Sequence, residues 1–304
     1  MSESGHAKLM RRAAKASVGV SVFLVAIKAF AYFASHSVAM LASLADSALD
    51  LFTAALSLFA IHESLSPADR EHRFGHGKAE PLAGLAQGAF ITASALFLVI
   101  QAVQRLINPQ PIEHGLEALL VMLISIGAAI ALVLFQRFAV KRTGSLAISA
   151  DQTHYLGDLA TNIGVVIAIL LATVWGWVAA DPVIALFVAL VLVGSAWIVF
   201  RKSLDQLMDR ELPDMARERI IAIVRAHPSV RSLHDLRTRA AGTTTFIQVH
   251  IELDPDMALA EAHAVSDEVE RELCAAFDRA QVIIHQDPAG LEEVPEASAT
   301  GGNF

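Results

Sequence analysis

Asp46 and Asp50 in SLADSALDLF, and His154 and Asp158 in THYLGDLATN, put three carboxylates and an imidazole inside two of the most apolar stretches of the chain. Each pair is spaced i, i+4, so its two members share one helix face. Three oxygens and one nitrogen can close a tetrahedral shell, which suits Zn²⁺ and tolerates Cd²⁺ or Fe²⁺, whereas Mg²⁺ and Ca²⁺ take six or more oxygens. A carboxylate at the centre of a bilayer helix costs about 2.5 to 3.5 kcal/mol, so three cost on the order of 8 to 10 kcal/mol if nothing offsets them. Lys28, in the preceding apolar run, cannot neutralise three acids; a bound cation can. Metal and protons compete for the same lone pairs, so loading either expels the other, which is the logic of a metal/proton antiporter. No nucleotide motif competes with it: FGHGKAE at 74–80 contains GxGK but lacks the P-loop spacing and its Ser/Thr.

The elements that must position these residues are long apolar helices. The chain has 304 residues, 55% of them hydrophobic, with a mean hydropathy of +0.52, and its apolar residues fall into runs near bilayer length. The pattern predicts an α-helical membrane protein with six spans, at about 14–34, 38–61, 82–107, 115–136, 146–173 and 178–200. Helix rise then puts Asp46 and Asp50 about 14 and 20 Å below the outer face, and His154 and Asp158 about 15 and 21 Å from the inner face, so all four meet near mid-depth.

Basic residues set the orientation. Lys8, Arg11, Arg12 and Lys15 precede span one, Arg70, Arg73 and Lys78 follow span two, and Arg137, Lys141 and Arg142 follow span four, while the alternate loops offer Arg105. This bias predicts cytoplasmic N- and C-termini. The basic start resembles the n-region of a signal peptide, but the apolar run after it is long and lacks an obvious cleavage site, so a retained span is expected. Asp151, one turn before His154, reads as a residue of the cytoplasmic mouth or as a spare ligand. The single cysteine, Cys274, excludes an intramolecular disulfide and a CxxC metal motif. A net charge of −8 without a basic cluster argues against nucleic acid as a partner.

After span six, RKSLDQLMDRELP breaks the apolar pattern. The predicted organisation is a transmembrane domain over 1–207, a cytoplasmic α+β domain over 208–290 and a disordered tail over 291–304. Within the second domain the periodicities give a helix at about 214–227, strands at 231–239 and 244–253, a helix at 258–277 and a strand at 281–285, two helices on a three-stranded sheet. Between spans two and three, Asp69, His72 and His76 form a candidate loop site of three ligands plus water; the alternative is a solvated charged loop.

DxxxD in span two, HxxxD in span five, the loop D-x-x-H-x-x-x-H-G-K-A-E, and HDLRTR, FIQVH and VIIHQDP in the tail domain together resemble the cation diffusion facilitator family, over residues from about 10 to 290. The resemblance implies a homodimeric, proton-driven Zn²⁺ exporter of the bacterial inner membrane, with six transmembrane helices and a metallochaperone-like (ferredoxin-like) cytoplasmic domain. It makes Asp46, Asp50, His154 and Asp158 the transport site, open to each side in turn, and the histidine in span five is similar to the zinc and cadmium branch. It makes His234, His250, His263, His285 and Asp287 a binuclear zinc site, with His250 or Asp287 as a bridge and Gln286 assisting. Strand alternation leaves simple burial as another account of His250. The resemblance further implies a salt bridge between Lys78 and Asp209 at the dimer centre; otherwise these are two exposed charges. His227 reads as a helix cap or a surface residue, and His6, His36, His62 and His114 as residues without a metal role. Two rivals remain: a metalloenzyme, for which HExxH is missing, and a membrane-bound metal sensor that binds without transporting.

Overall fold

The computed structural model describes residues 3–35, 38–107, 116–177 and 179–290. The order of elements is α1 (Glu3–Ser35), α2 (Val38–Ser64), α3 (Ala79–Ile107), α4 (Leu116–Thr143), α5 (Leu146–Trp175), α6 (Ala180–Leu207), α7 (Asp214–Ala226), β1 (Ser232–Ala241), β2 (Thr244–Leu253), α8 (Leu259–Ala276) and β3 (Ala280–Pro288). The chain divides into two compact units, one of Met1–Met208 with Ala241–Thr243, the other of Asp209–Ala240 with Thr244–Phe304. The tail over 291–304, His36 and His114 lie outside the described residues.

In the first unit, α1, α2, α3, α4 and α6 are long and apolar enough to cross a membrane. α5 has 30 residues but carries Asp151, His154 and Asp158, and it is not among those five. Phe30, Phe33, Phe97, Phe187, Leu190 and Trp197 are exposed around the helices, as expected where lipid rather than water is the solvent. The helices outrun the predicted spans, mainly at the ends predicted to be cytoplasmic: α1 starts at Glu3, α4 continues to Thr143 and α6 to Leu207. Hydropathy detects only the apolar part of a helix, whereas hydrogen bonding carries the helix on into polar sequence.

α1 packs along α2, α3 along α6, and α5 against both α4 and α6. The α5–α6 approach is close at Gly157, where an added Cβ would stand 2.3 Å from Leu192 Cδ2. Arg105, at the end of α3, pairs with the buried Asp181 in the first turn of α6, so the one basic residue of the alternate loops is neutralised within the bundle.

The second unit is a three-stranded sheet in the order β1-β2-β3, with β2 and β3 parallel. Ile247, Val249, Ile251 and Leu253 of β2 point to one face, where Ile220 and Val224 of α7 and Val265, Val269 and Leu273 of α8 bury them. His250 and Glu252 therefore lie on the opposite face, and simple burial does not account for His250. In β1, Leu233 and Leu236 both pack on the core although they are three residues apart, and Asp235 between them has φ +44°. This break in alternation turns both His234 and Asp235 toward the open face.

Candidate metal centres

α2 and α5 bring Asp50, His154 and Asp158 together: one ligand atom from each lies within 4.8 Å of the others. His154 Nε2 is 3.0 Å from Asp50 Oδ1 and 3.7 Å from Asp158 Oδ2. Asp50 and His154 are 8% and 9% exposed. Asp158 Oδ2 is buried and has no hydrogen-bond partner. A buried acceptor left without a donor, beside a nitrogen already facing a second carboxylate, is a place that a cation would satisfy.

Asp46, one turn away on α2, is exposed and not part of this cluster. The described state therefore gathers three of the four predicted ligands. Lys28 Nζ donates to Ser47 Oγ at 2.6 Å and to Ser43 O at 3.3 Å.

Asp151 lies in a buried network rather than in an open mouth. It is 2% exposed, its Oδ2 accepts from Ser17 Oγ and from Gln136 Nε2 (2.7 Å), and it is outside the three-ligand cluster. Ser21 Oγ and Tyr155 Oη meet at 2.5 Å, and Tyr155 Oη donates to Ser17 O at 3.4 Å, so polar groups of α1, α4 and α5 interlock one turn from His154. Ser17, Gln136 and Tyr155 carried no sequence signal, since such residues are common in apolar helices as tolerated polar contacts.

The N-terminus of α5 is fixed by Ser145, its N-cap, whose Oγ lies 3.4 Å from the Ile148 amide. Glu80, in the first turn of α3 and 1% exposed, accepts from Ser145 Oγ at 2.5 Å and from the Ala147 amide at 3.4 Å. A carboxylate there satisfies orphan donors and complements the helix dipole. Glu80→Ala strands these buried donors and should lower stability by about 1–3 kcal/mol, read as a lower melting temperature of the detergent-solubilised protein.

The α2–α3 loop gathers Asp69, His72 and His76, again with ligand atoms within 4.8 Å. Asp69 Oδ1 accepts from the amides of His72 (2.6 Å) and Glu71 (2.9 Å). The His72 amide above all holds the Asp69 carboxyl below its usual range. Oδ2 faces His76 Nε2 at 3.4 Å, and the His72 and His76 rings are 4.6 Å apart. Lys78 Nζ donates to Leu207 O at 3.4 Å in the first unit, and Asp209, in the second, accepts from Arg239 at 3.3 Å.

On the open face of the second unit's sheet, Asp287 is the hub. Its Oδ2 is 3.0 Å from His250 Nδ1 and 3.5 Å from His234 Nε2, and its Oδ1 is 3.3 Å from His285 Nε2. The parallel register sets His250 beside His285 and Glu252 beside Asp287. His234, His250 and Asp287 form the third cluster of ligand atoms within 4.8 Å. His263 is exposed on α8 and faces Asp267 at 3.7 Å, apart from this cluster. Gln286 donates to Ser266 Oγ at 2.7 Å and faces the α8 side. His227 caps α7 and contacts Glu268 at 3.1 Å, in keeping with a structural role.

Two family models match the chain in sequence: "Cation efflux transmembrane domain" over residues 14–208 and "Cation efflux protein, cytoplasmic domain" over residues 212–289. The chain belongs to the cation efflux family. Among curated members of this family, cation-efflux pump FieF of Klebsiella pneumoniae subsp. pneumoniae is 42% identical over 292 residues, 96% of each chain. FieF of Shewanella oneidensis is 43% identical over 283 residues, 93% of this chain and 95% of its own. A solved structure described as the zinc form of a putative zinc transporter, CzrB, is 37% identical over 28% of this chain and 98% of its own, with a TM-score of 0.27. The chain is thus a cation efflux transporter, and its helical transmembrane domain is followed by the family's cytoplasmic α+β domain.

Proposed function

We propose that this cation efflux protein is a proton-coupled antiporter that exports divalent metal from the cytoplasm, Zn²⁺ first and Cd²⁺ or Fe²⁺ as further cargo. It works as a homodimer in the bacterial inner membrane, with both termini cytoplasmic and with α5 crossing alongside the other five helices to make six spans. The observation that carries this reading is His154 Nε2 facing Asp50 and Asp158 at the buried contact of α2 and α5, with Asp158 Oδ2 unpartnered.

The donor set of two carboxylates and an imidazole fits a tetrahedral ion, with Asp46 or water as the fourth ligand. Without metal, the contact between His154 and Asp50 needs a proton on one partner. An arriving dication takes the same lone pairs and displaces that proton, and protons arriving from the other face release the metal. A membrane potential adds about 2.3 kcal/mol per charge per 100 mV to the driving force. Asp69, His72 and His76 form a second metal site, and His234, His250, His285 and Asp287 a third, with His263 supplied from a second copy of the chain. Lys78 and Asp209 pair at the dimer centre. A solvated loop and scattered histidines would not be expected to converge ligand atoms within 4.8 Å at both places.

The test is zinc flux in proteoliposomes with an imposed pH gradient and a zinc-sensitive dye. Zinc should move against the direction of proton flow, and reversing the gradient should reverse it. Flux indifferent to the gradient would remove the proton coupling. Tight zinc binding with no flux would favour a metal sensor.

A further inference from the structure

Glu63 lies in the last turn of α2, and its Oε1 stands 3.6 Å from His76 Nε2. Asp69 Oδ2 stands 3.4 Å from the same nitrogen. The other ring nitrogen, His76 Nδ1, is buried and without a hydrogen-bond partner, so Nε2 carries the polar contacts of this largely buried ring. A neutral imidazole has one N–H and can satisfy one of the two carboxylates, not both. Two carboxylate oxygens directed at one ring nitrogen, with a second imidazole ring 4.6 Å away, bring together two oxygen and two nitrogen donors of the kind that take a divalent cation.

We propose that Glu63 is the fourth ligand of the loop metal site, so that Glu63, Asp69, His72 and His76 together enclose a tetrahedral divalent cation such as Zn²⁺. This rests on the metal reading of the loop given above, and it changes what that site does. Three ligands and a water leave a position for exchange, whereas four protein ligands close the shell, as in structural zinc sites. Asp69 is already limited to one free oxygen, because its Oδ1 is held by the Glu71 and His72 amides. Glu63 thus fills a position that Asp69 cannot take by binding through both oxygens. The ion becomes a resident clasp between the end of α2 and the loop that leads into α3, rather than cargo in passage. Glu63 is 13 residues beyond Asp50 on the same helix, about 20 Å along its axis, so the clasp holds the helix that carries the transport ligand.

The experiment is zinc titration, by chelator competition, of the purified full-length protein in an Asp50→Ala, Asp287→Ala background, with zinc X-ray absorption to identify the ligating groups. Adding Glu63→Gln should weaken the loop site about 10-fold or more and replace one carboxylate oxygen by water, since even outer partners of a metal site are worth about 10- to 100-fold in affinity. Glu63→Asp, which keeps the charge but shortens the reach, should fall between the two. If Glu63→Gln binds as tightly as its parent while His72→Ala binds weakly, the site has three protein ligands and the proposal fails alone. If neither substitution changes binding, the loop holds no metal, and the loop reading falls with it.

Discussion

Replacing Asp50 by alanine should cut zinc flux by about 100-fold or more, in a protein that still inserts and dimerises. Stripping one partner from a buried charged set costs about 3–5 kcal/mol, and each 1.4 kcal/mol is a factor of ten. Asp50 is the residue that α2 contributes to the buried cluster, 3.0 Å from His154, so its loss removes both the proposed ligand and a carboxylate that faces His154 Nε2. Asp46→Ala separates two roles that the sequence cannot distinguish. Asp46 is exposed and outside the cluster in the described state, so resting zinc affinity should survive its loss better than the loss of Asp50. Flux should still fall, if Asp46 joins the ion only when α2 and α5 move between the inward and outward arrangements. The measurement pairs equilibrium zinc binding with proteoliposome flux for both variants. Equal losses of binding would mean that Asp46 is a full ligand throughout the cycle.

The parts of this molecule that rest on periodicity were legible from residues alone. Six long helices, the two helices and three strands of the second unit, and the convergence of α2 and α5 on Asp50, His154 and Asp158 follow from apolar run length, i, i+4 spacing and strand alternation. What stayed hidden depends on contacts between elements. Glu63 precedes Asp69 by a helix end and a turn, and nothing in its spacing marks it as a neighbour of His76. Gln136 and Ser17 look like ordinary polar residues until Asp151 is seen bonded to both. Asp235 has the left-handed backbone that re-aims β1, and a strand pattern read at period two has no place for it. Glu80, in HGKAE, sits beside the loop ligands in sequence, and its role as partner of the α5 cap appears only when α3 meets the α4–α5 turn.

In the cytoplasmic domain the largest effect should come from Asp287. One carboxylate there faces three imidazoles, His234 and His250 through Oδ2 and His285 through Oδ1. His250 also lies beside His234, His285 and Asp287, but Asp287 brings the negative charge, so Asp287→Ala removes the carboxylate around which both a His234–His250 ion and a His250–His285 ion could form. Zinc bound by the full-length protein should fall by the whole content of this face rather than by a single ligand's share, as counted by equilibrium titration and metal analysis. Asp287→Asn keeps an oxygen but loses the charge that offsets a dication, and should recover little of it. His263→Ala decides what dimerisation adds. In one chain His263 faces Asp267, away from Asp287. If every ligand comes from one chain, this substitution should leave the titration unchanged. A loss of one zinc per chain from His263→Ala, with the His234 and His250 ion retained, would show that α8 of a second copy reaches the site, so that metal occupancy and dimer closure are a single linked equilibrium.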